Sequence, residues 1–176
     1  MIDPNIVLYG RLVTLESFRS SDITHEYISW LKDPEVVRYS NQRFRSHSIQ
    51  TCQEYLQSFH NSANLFFSVR LLSNGQMIGT ATAYISVPHS TADIGLLIGN
   101  REQWGKGVGL DAWKTLMDCL LKKYSIRKVS GGTLRANVGM VRIMERAGME
   151  LEAVRSRQQI LEGEVQDELY FARFSD

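Results

Sequence analysis

Three glycines at alternate positions, Gly105, Gly107 and Gly109, separate a strand-like stretch from a long segment of helical period. The stretch at 92–98 is mostly apolar, which predicts a strand. After Gly107, apolar residues recur at intervals of one, three or four positions, which predicts a helix with one apolar face. Glycine permits the tight turn that this change requires, and the first N–H groups of a helix have no helical partner. The segment therefore predicts an anion site suited to a pyrophosphate.

The hydrophobic period changes several times along the chain, which predicts an α/β or α+β fold with one sheet flanked by helices. A length of 176 residues without a linker, repeat or low-complexity run predicts one domain, residues 1–176. Four helices are expected, each marked by a capping residue or a glycine: after Ser20 or Ser21, after Ser48, after Gly107, and at 137–147 before Gly148. A short helical turn is also expected at 35–38, after Pro34. The seven expected strands are 11–15, 65–72, 77–87, 92–98, 127–134, 149–160 and 165–174.

The charge balance and the cysteines argue against several classes of function. Lysine plus arginine number 20 and aspartate plus glutamate 19, so a formal net charge of +1 gives no electrostatic basis for general nucleic-acid binding. Cys52 and Cys119 have no partner at metal-ligand spacing, so we interpret both as reduced thiols and expect no metal. No signal-peptide pattern and no apolar run of roughly 20 residues is found. We therefore expect a cytoplasmic protein that binds neither nucleic acid nor membrane.

The glycine turn by itself does not decide which ligand is bound. It lacks the Gly-Lys-Ser/Thr ending of a Walker loop and differs from the Gly-x-Gly-x-x-Gly pattern. A tight strand-to-helix corner without a ligand and a turn that binds ATP are both compatible with residues 104–109. Lys106 either adds a charge-assisted contact to a phosphate or is solvated.

A second segment narrows the range of ligands that the glycine turn could bind. Residues 137–149 run Asn, a spacer, Arg-Ile-Met-Glu-Arg and then Ala-Gly-Met, one strand beyond the glycine-rich helix. Together with the turn at 104–109, this segment resembles the GNAT acyltransferase superfamily, and more narrowly the RimJ/RimL-like branch of ribosomal-protein N-terminal acetyltransferases. Further stretches that look like this branch are 10–15, 30–36, 78–79 and 93–95.

The resemblance implies a mixed, mostly antiparallel sheet of about seven strands flanked by about four helices, with a splay between the fourth and fifth strands. It implies acetyl-CoA as the donor, with its pyrophosphate on the backbone N–H groups from Gly105 through Leu110 and its pantetheine beside 96–98. The residues expected to bind it are Leu97, Ile98, Trp104, Gly105, Lys106, Gly107, Val108, Gly109, Leu110, Asn137, Met140 and Arg142.

The reaction implied by the resemblance is direct attack of a primary amine on the thioester. The amine must lose a proton before attack, and the carbonyl oxygen needs a preorganised donor. Asp93 is the expected base, acting through water, and the backbone N–H of Leu97 or Ile98 is the expected donor. Asn137 matches a position that hydrogen-bonds the pantetheine or a water, and it can also cap a helix. The alternative bases are His89, Glu168 and Tyr170.

Two methionines depart from the resemblance. The branch usually has Ser at the position of Met140, other members have Tyr at that of Met144, and either hydroxyl would assist the leaving thiolate. A thiol with a pKa of roughly 8.5 needs such an acid less than an alcohol would. We therefore expect weakened or solvent-mediated acid catalysis, with a non-catalytic or weakly catalytic CoA-binding regulatory module as the alternative.

The acceptor is expected between the first two helices, the loop 39–48 and the final hairpin. An arginine pair in this loop suits an amine that carries phosphate or carboxylate, although a solvated loop is equally compatible. Acidic side chains of the hairpin would instead suit a polyamine; they are Glu162, Glu164, Asp167 and Glu168. A protein N-terminus, an amino sugar and another small amine all remain open as acceptors of a monomer or homodimer. The candidate substrate-binding residues are Tyr39, Asn41, Arg43 and Phe44.

Overall fold

The computed structural model describes residues 6–175, which form one sheet of eight strands. The strands are β1 (Val7–Tyr9), β2 (Val13–Ser17), β3 (Leu65–Leu71), β4 (Met77–Ser86), β5 (Thr91–Ile98), β6 (Lys128–Leu134), β7 (Glu150–Leu161) and β8 (Glu164–Phe174). Their order in the sheet is β1-β2-β3-β4-β5-β6-β8-β7, and among these neighbours only β5 and β6 run parallel. The expected mixed, mostly antiparallel sheet is confirmed, with eight strands rather than about seven. The additional strand, β1, is three residues long, too short to show a hydrophobic period.

Five α-helices flank the sheet in residues 6–175, one more than the four expected. They are α1 (His25–Lys32), α2 (Pro34–Val37), α3 (Ile49–Gln57), α4 (Val108–Asp118) and α5 (Val138–Arg146). A π-helical segment, Cys119–Lys123, continues α4. The fifth helix, α2, is a single turn that Asp33 caps through the N–H of Glu35, and it lies where the sequence predicts a short helical turn.

Side-chain caps set where the helices begin, and one of them differs from the prediction. Ser48 caps α3 as expected, since its hydroxyl accepts the N–H of Thr51. The helix expected after Ser20 or Ser21 begins later, because Ser20–Asp22 is a single 3₁₀ turn and Thr24 is the cap of α1. The Asp22 carboxylate fixes that turn by accepting the N–H of Arg19 at 2.9 Å.

The sheet has a hydrophobic core on each face, and the neighbouring residues Phe66 and Phe67 mark the two sides. Phe66 packs with the aromatic residues of α1 and α3, whereas Phe67 belongs to the larger core formed with α4 and α5. On β5, Leu97 packs toward the α1–α3 side, whereas Leu96 and Ile98 pack toward the α4–α5 side. Since side chains alternate along a strand, Asp93 and Gly95 share the α1–α3 face with Leu97.

The parallel pair β5–β6 ends early and leaves a gap between the two strands. Thr91, Ala92 and Asp93 pair with 128–130, and no later residue of β5 pairs with β6. Beyond that point β5 remains paired with β4 as far as Ile98, and β6 remains paired with β8 as far as Leu134. The splay expected from the resemblance is therefore present.

Among residues 6–175, we find no helix that is both long enough and apolar enough to cross a membrane.

Candidate active site

The edge of β5 that faces the gap carries backbone groups without a strand partner. The N–H of Gly99 donates to the carbonyl of Ile78 on β4 at 2.9 Å. Because hydrogen-bonded pairs alternate along an antiparallel ladder, Leu97 also directs its N–H toward β4, and Leu96 and Ile98 direct theirs into the gap. With this register the N–H of Leu97 cannot reach a group in the gap, whereas the N–H of Ile98 can. The carbonyl of Ile98 accepts the indole N–H of Trp104 at 2.8 Å, which ties the glycine turn to the end of β5.

Two glycines of the turn adopt backbone angles that favour glycine. Gly105 has φ of +75° and Gly107, the N-cap of α4, has φ of +83°. A Cβ at Gly105 would meet no heavy atom within 4 Å, and one at Gly107 only Leu12 at 3.7 Å. Both glycines therefore border open space, where an added side chain would project.

The N-terminus of α4 offers a row of free donors beside these glycines. In the described chain, 6–175, the N–H groups of Gly107, Val108, Gly109 and Leu110 make no hydrogen bond. Four such N–H groups at a helix start, with the helix dipole behind them, are suited to a diphosphate.

Gly109 has a different role from the other two glycines of the turn. An ideal Cβ there would lie 3.0 Å from Cδ1 of Ile143 and 3.6 Å from Cδ2 of Leu96. It therefore permits α4 to pack closely against α5 and β5, and its missing side chain faces the core rather than the anion site. The even spacing of the glycines in the sequence conceals this difference.

Asp111, in the first turn of α4, anchors the preceding β1–β2 turn. Its carboxylate accepts the N–H groups of Arg11, Leu12 and Val13 at 3.1, 2.8 and 3.1 Å. These three donors balance a negative charge that would otherwise oppose an anion at the same helix end. Sequence analysis missed this role, since a contact across nearly 100 residues leaves no local pattern.

Helix α5 brings Asn137 beside the gap and turns Met144 away from it. The side-chain oxygen of Asn137 accepts the N–H of Met140 at 3.3 Å, and its amide donates to the hydroxyl of Thr133 at 3.1 Å. Asn137 therefore fulfils the helix-cap role in this structure. Met144 is fully buried in the core, whereas Met140 is partly buried and Arg142 is exposed.

Asp93 occupies the last paired position before the gap opens. Its Oδ2 accepts a hydrogen bond of 3.0 Å from the hydroxyl of Ser130, its partner on β6. Desolvation by the surrounding protein raises the pKa of Asp93 above its ordinary value; the Ser130 hydroxyl opposes this increase, and the charge of Glu168 adds to it. A carboxylate with a raised pKa is a stronger proton acceptor. His89 lies in the turn before β5, at the paired end of the strands, and is not placed beside the gap.

Two tyrosines flank Asp93, and only one was considered from the sequence. Tyr84 is directly opposite Asp93 on β4, and its hydroxyl lies 2.7 Å from that of Tyr55 on α3. Tyr170, on β8, faces Gly132 of β6, and the charge of Asp93 contributes to raising its pKa. Tyr84 could have been found only by knowing the β4–β5 register.

The predicted acceptor loop does meet the final hairpin. Arg38 donates two hydrogen bonds, at 2.9 and 2.7 Å, to the carboxylate of Glu162 at the hairpin tip. Arg43 stacks on Phe44 at 4.3 Å and donates to the backbone carbonyls of Ser40 and Ile160. An open cavity of about 460 Å³ lies between the two segments. It is lined by Pro34, Arg38, Arg43, Phe44, Ile160, Leu161, Glu162 and Gly163.

The remaining two candidate acceptor residues, Tyr39 and Asn41, are not among the residues that line this cavity. Tyr39 is half-buried, and the guanidinium carbon of Arg38 lies 5.5 Å from the centre of its ring. Asn41 is exposed at the start of a 3₁₀ turn, Asn41–Phe44.

The acidic residues of the hairpin are mostly matched by arginines. Glu162 binds Arg38, Asp167 binds Arg135 at 3.2 Å, and Glu168 lies 4.0 Å from Arg155. This surface therefore carries little surplus negative charge for a polycation.

Comparison with known proteins identifies the family. The chain matches the model of the acetyltransferase (GNAT) domain over residues 12–150. It is similar to YjcK of Bacillus subtilis, named as a probable N-acetyltransferase, with 24% identity over 103 residues, 57% of this chain and 56% of that protein. The match thus spans little more than half the length of this curated relative.

Two solved structures are similar over nearly their full length. One is a RimL ribosomal L7/L12 α-N-protein acetyltransferase in complex with coenzyme A, with a TM-score of 0.83, 16% identity and coverage of 97% of this chain and 99% of that one. The other is a spermidine N-acetyltransferase from Vibrio cholerae in complex with CoA and spermine, with a TM-score of 0.81, 19% identity and coverage of 93% and 96%. At such identities these likenesses concern the fold. The domain match, on a sheet that opens beside a glycine-capped helix, shows that the chain belongs to the GNAT acetyltransferase family.

Proposed function

We propose that this protein is an acetyl-CoA-dependent N-acetyltransferase in which a primary amine attacks the thioester directly. The observation that carries this proposal is the opening of β5 from β6 immediately beyond Asp93, next to a helix end with four free N–H groups. An anion site, an unpaired strand edge and a carboxylate thus adjoin one gap in the sheet.

The donor site uses backbone groups more than side chains. The N–H groups from Gly107 through Leu110 hold the diphosphate, and the free edge of β5 at Leu96 and Ile98 pairs with the amide groups of the pantetheine arm. Open space at Gly105 and Gly107 supports this fit, since a side chain at either position would project into the approach of the phosphates. When bound, acetyl-CoA supplies an acetyl group activated as a thioester.

Asp93 acts as the base. An alkyl ammonium group has a pKa of about 10.4 and is protonated near neutral pH, so attack requires transfer of a proton to a nearby acceptor. Asp93 is accessible to solvent and lies at the mouth of the gap, where it receives that proton directly or through a water. The N–H of Ile98, directed into the gap, stabilises the negative charge that gathers on the carbonyl oxygen.

The acceptor enters from the face that carries Asp93, beside the groove between the loop 38–44 and the hairpin tip. The arginine pairing of Glu162, Asp167 and Glu168 favours a compact amine over an extended polycation at this groove. A protein α-amine, an amino sugar and another small primary amine fit this description.

Release of free thiol from acetyl-CoA, measured with a panel of peptide N-termini, amino sugars and polyamines, tests the proposal. We expect turnover with at least one compact amine and weaker turnover with spermidine. Tight CoA binding without turnover on any amine would favour the alternative, a CoA-binding regulatory module, which the lack of a hydroxyl at Met140 and Met144 motivates. Thermal stabilisation by ATP alone, and not by acetyl-CoA, would contradict both.

A further inference from the structure

The ring of Tyr170 is held in place from both sides. On one side the ring lies against Gly132, where an ideal Cβ would lie 3.0 Å from Cε1 and 3.2 Å from Cζ of the tyrosine. The guanidinium of Arg155, on β7, lies over the ring at 4.6 Å from its centre. The ring therefore fits in this position only because residue 132 is glycine.

The hydroxyl end of this ring reaches the gap. Cζ, the atom that carries the hydroxyl, lies above Gly132 on β6, and β6 forms one wall of the gap. Continuing the parallel register two residues beyond the pair Asp93–Ser130 brings Gly95 and Gly132 to the same level and the same face. Neither residue has a side chain, so the gap is open on this face and the phenol stands at its rim.

We propose that Tyr170 is a further catalytic residue, whose phenol hydroxyl donates to the sulfur of CoA as the thioester bond breaks. This inference rests on the proposed function and supplies the hydroxyl that Met140 and Met144 lack. The proton of the incoming ammonium passes to Asp93, and the amine nitrogen forms the C–N bond as the C–S bond breaks. The sulfur takes the proton of Tyr170, the phenolate regains one from Asp93, and the acetylated nitrogen releases its remaining extra proton to water.

The charged groups around Tyr170 are consistent with this role. Glu168 and Asp93 are the acidic neighbours and Arg155 is the basic one, and desolvation is the largest cause that raises the pKa of Tyr170. The phenol therefore stays protonated near neutral pH and remains a donor. A hydrogen bond with Glu168 raises the pKa of Tyr170 further, and the charge of Asp93 adds a smaller effect in the same direction.

The test compares Tyr170→Phe, which keeps the ring between Gly132 and Arg155 and removes only the hydroxyl, with Tyr9→Phe, a control that removes the hydroxyl of an exposed tyrosine on the edge strand β1. For Tyr170→Phe we expect kcat to fall by ~10²-fold, at the lower end of what a general acid contributes because a thiolate leaves readily. KM for acetyl-CoA should change less than twofold, and Tyr9→Phe should match the wild type in both constants.

A second readout needs no acceptor. Ultraviolet absorbance of the thiolate follows the ionisation of CoA bound to each protein, and loss of a hydrogen bond to the thiolate should lower the acid dissociation constant of the bound thiol about tenfold in Tyr170→Phe. Equal thiol titrations for the wild type and Tyr170→Phe would overturn the role of Tyr170. If the thiol titrations of the wild type and Tyr170→Phe differ as expected but the wild type acetylates no amine, the proposed function is overturned and the contact of Tyr170 to the sulfur is established.

Discussion

The hydroxyl of Ser130 donates a hydrogen bond of 3.0 Å to Oδ2 of Asp93 across the last pair of the parallel strands β5 and β6. This bond joins the two halves of the sheet at the position where they separate. It also adjusts the proposed base, since it lowers a pKa that desolvation raises.

Ser130→Ala should move the acid limb of the pH–rate profile to higher pH. Without the hydroxyl, the carboxylate form of Asp93 loses a donor and its pKa increases further, so a larger fraction is protonated and inactive below neutral pH. The profile of kcat/KM between pH 5 and 9 checks this. Asp93→Ala should instead lower the rate most above the acid limb, where the wild-type carboxylate is ionised and the amine is still largely protonated, and an unchanged profile in that variant would remove Asp93 from the mechanism.

Asp93→Asn should raise stability near neutral pH while lowering activity. A carboxyl group whose pKa is raised by folding stabilises the protein below its unfolded pKa, and this contribution is lost as the pH rises through the folded value. The ionised aspartate therefore costs stability at pH 7, and the neutral amide does not. Chemical denaturation at pH 7 and pH 4 measures the difference, and a gain that is larger at pH 4 would contradict this sign.

Gly107→Glu should reduce CoA affinity at least tenfold, because the new side chain projects into open space at the helix N-terminus and its charge repels a diphosphate. Gly75→Glu is a matched control. Gly75 also has positive φ, +72°, and open space around it, but it lies in the β3–β4 turn. Both substitutions carry a strain of roughly 1–2 kcal/mol. Equal CoA affinities measured by calorimetry in the two variants would show that the anion binds elsewhere.

Gly131→Ala should destabilise the fold by about 1–3 kcal/mol, since its Cβ would lie 2.6 Å from the buried ring of Trp113. The indole is fixed there by its N–H, which lies 3.1 Å from Sδ of Met149. Gly139→Ala, in α5, is the control and should be stabilising by roughly 0.5–1 kcal/mol, because the nearest neighbour of its Cβ is 3.9 Å away. Urea denaturation of both variants gives the two signs, and a neutral Gly131→Ala would show that Trp113 yields easily.

Glu162→Ala should raise KM for the acceptor and leave CoA affinity unchanged. The change releases Arg38 and with it the link between α2 and the hairpin tip. Glu164→Ala alters an exposed acidic residue of the same turn and should leave both constants as in the wild type. Because the hydrogen bond from Arg38 lowers the pKa of Glu162, the link should persist as the pH falls below the ordinary glutamate value and then be lost. A KM unaffected by Glu162→Ala would place the acceptor away from this groove.

Local chemistry explains which features were predictable from the sequence. Gly148, with φ of +78°, ends α5 as expected, and the Asn74–Gly75 turn joins β3 to β4 as expected, since each is specified by a few adjacent residues. Thr24 was missed because serine and threonine have similar preferences for the N-cap position, so Ser20 and Ser21 were equally good candidates. The 3₁₀ turn that Asp22 fixes moves the start of α1 to Thr24.

The active-site face required information that adjacent residues do not carry. The contact between Tyr170 and Gly132, the pair Tyr84–Asp93 and the link Arg38–Glu162 all depend on strand register or on contacts over long separations. The resemblance predicted the gap, and the glycine pattern predicted an anion site, but neither could show that a side chain at Gly109 would face Ile143.

Strands β5 and β6 pair over only three residues, and this short pairing also constrains the order in which the sheet can assemble. Strands β1 to β5 are successive neighbours in the sheet, so a nascent chain can assemble them before β6 has been synthesised. The pair Asp93–Ser130 forms only when the later strands dock onto that first half. An incomplete chain therefore has a carboxylate but no cleft, and the proposed acyl transfer requires that the last three strands have joined the sheet.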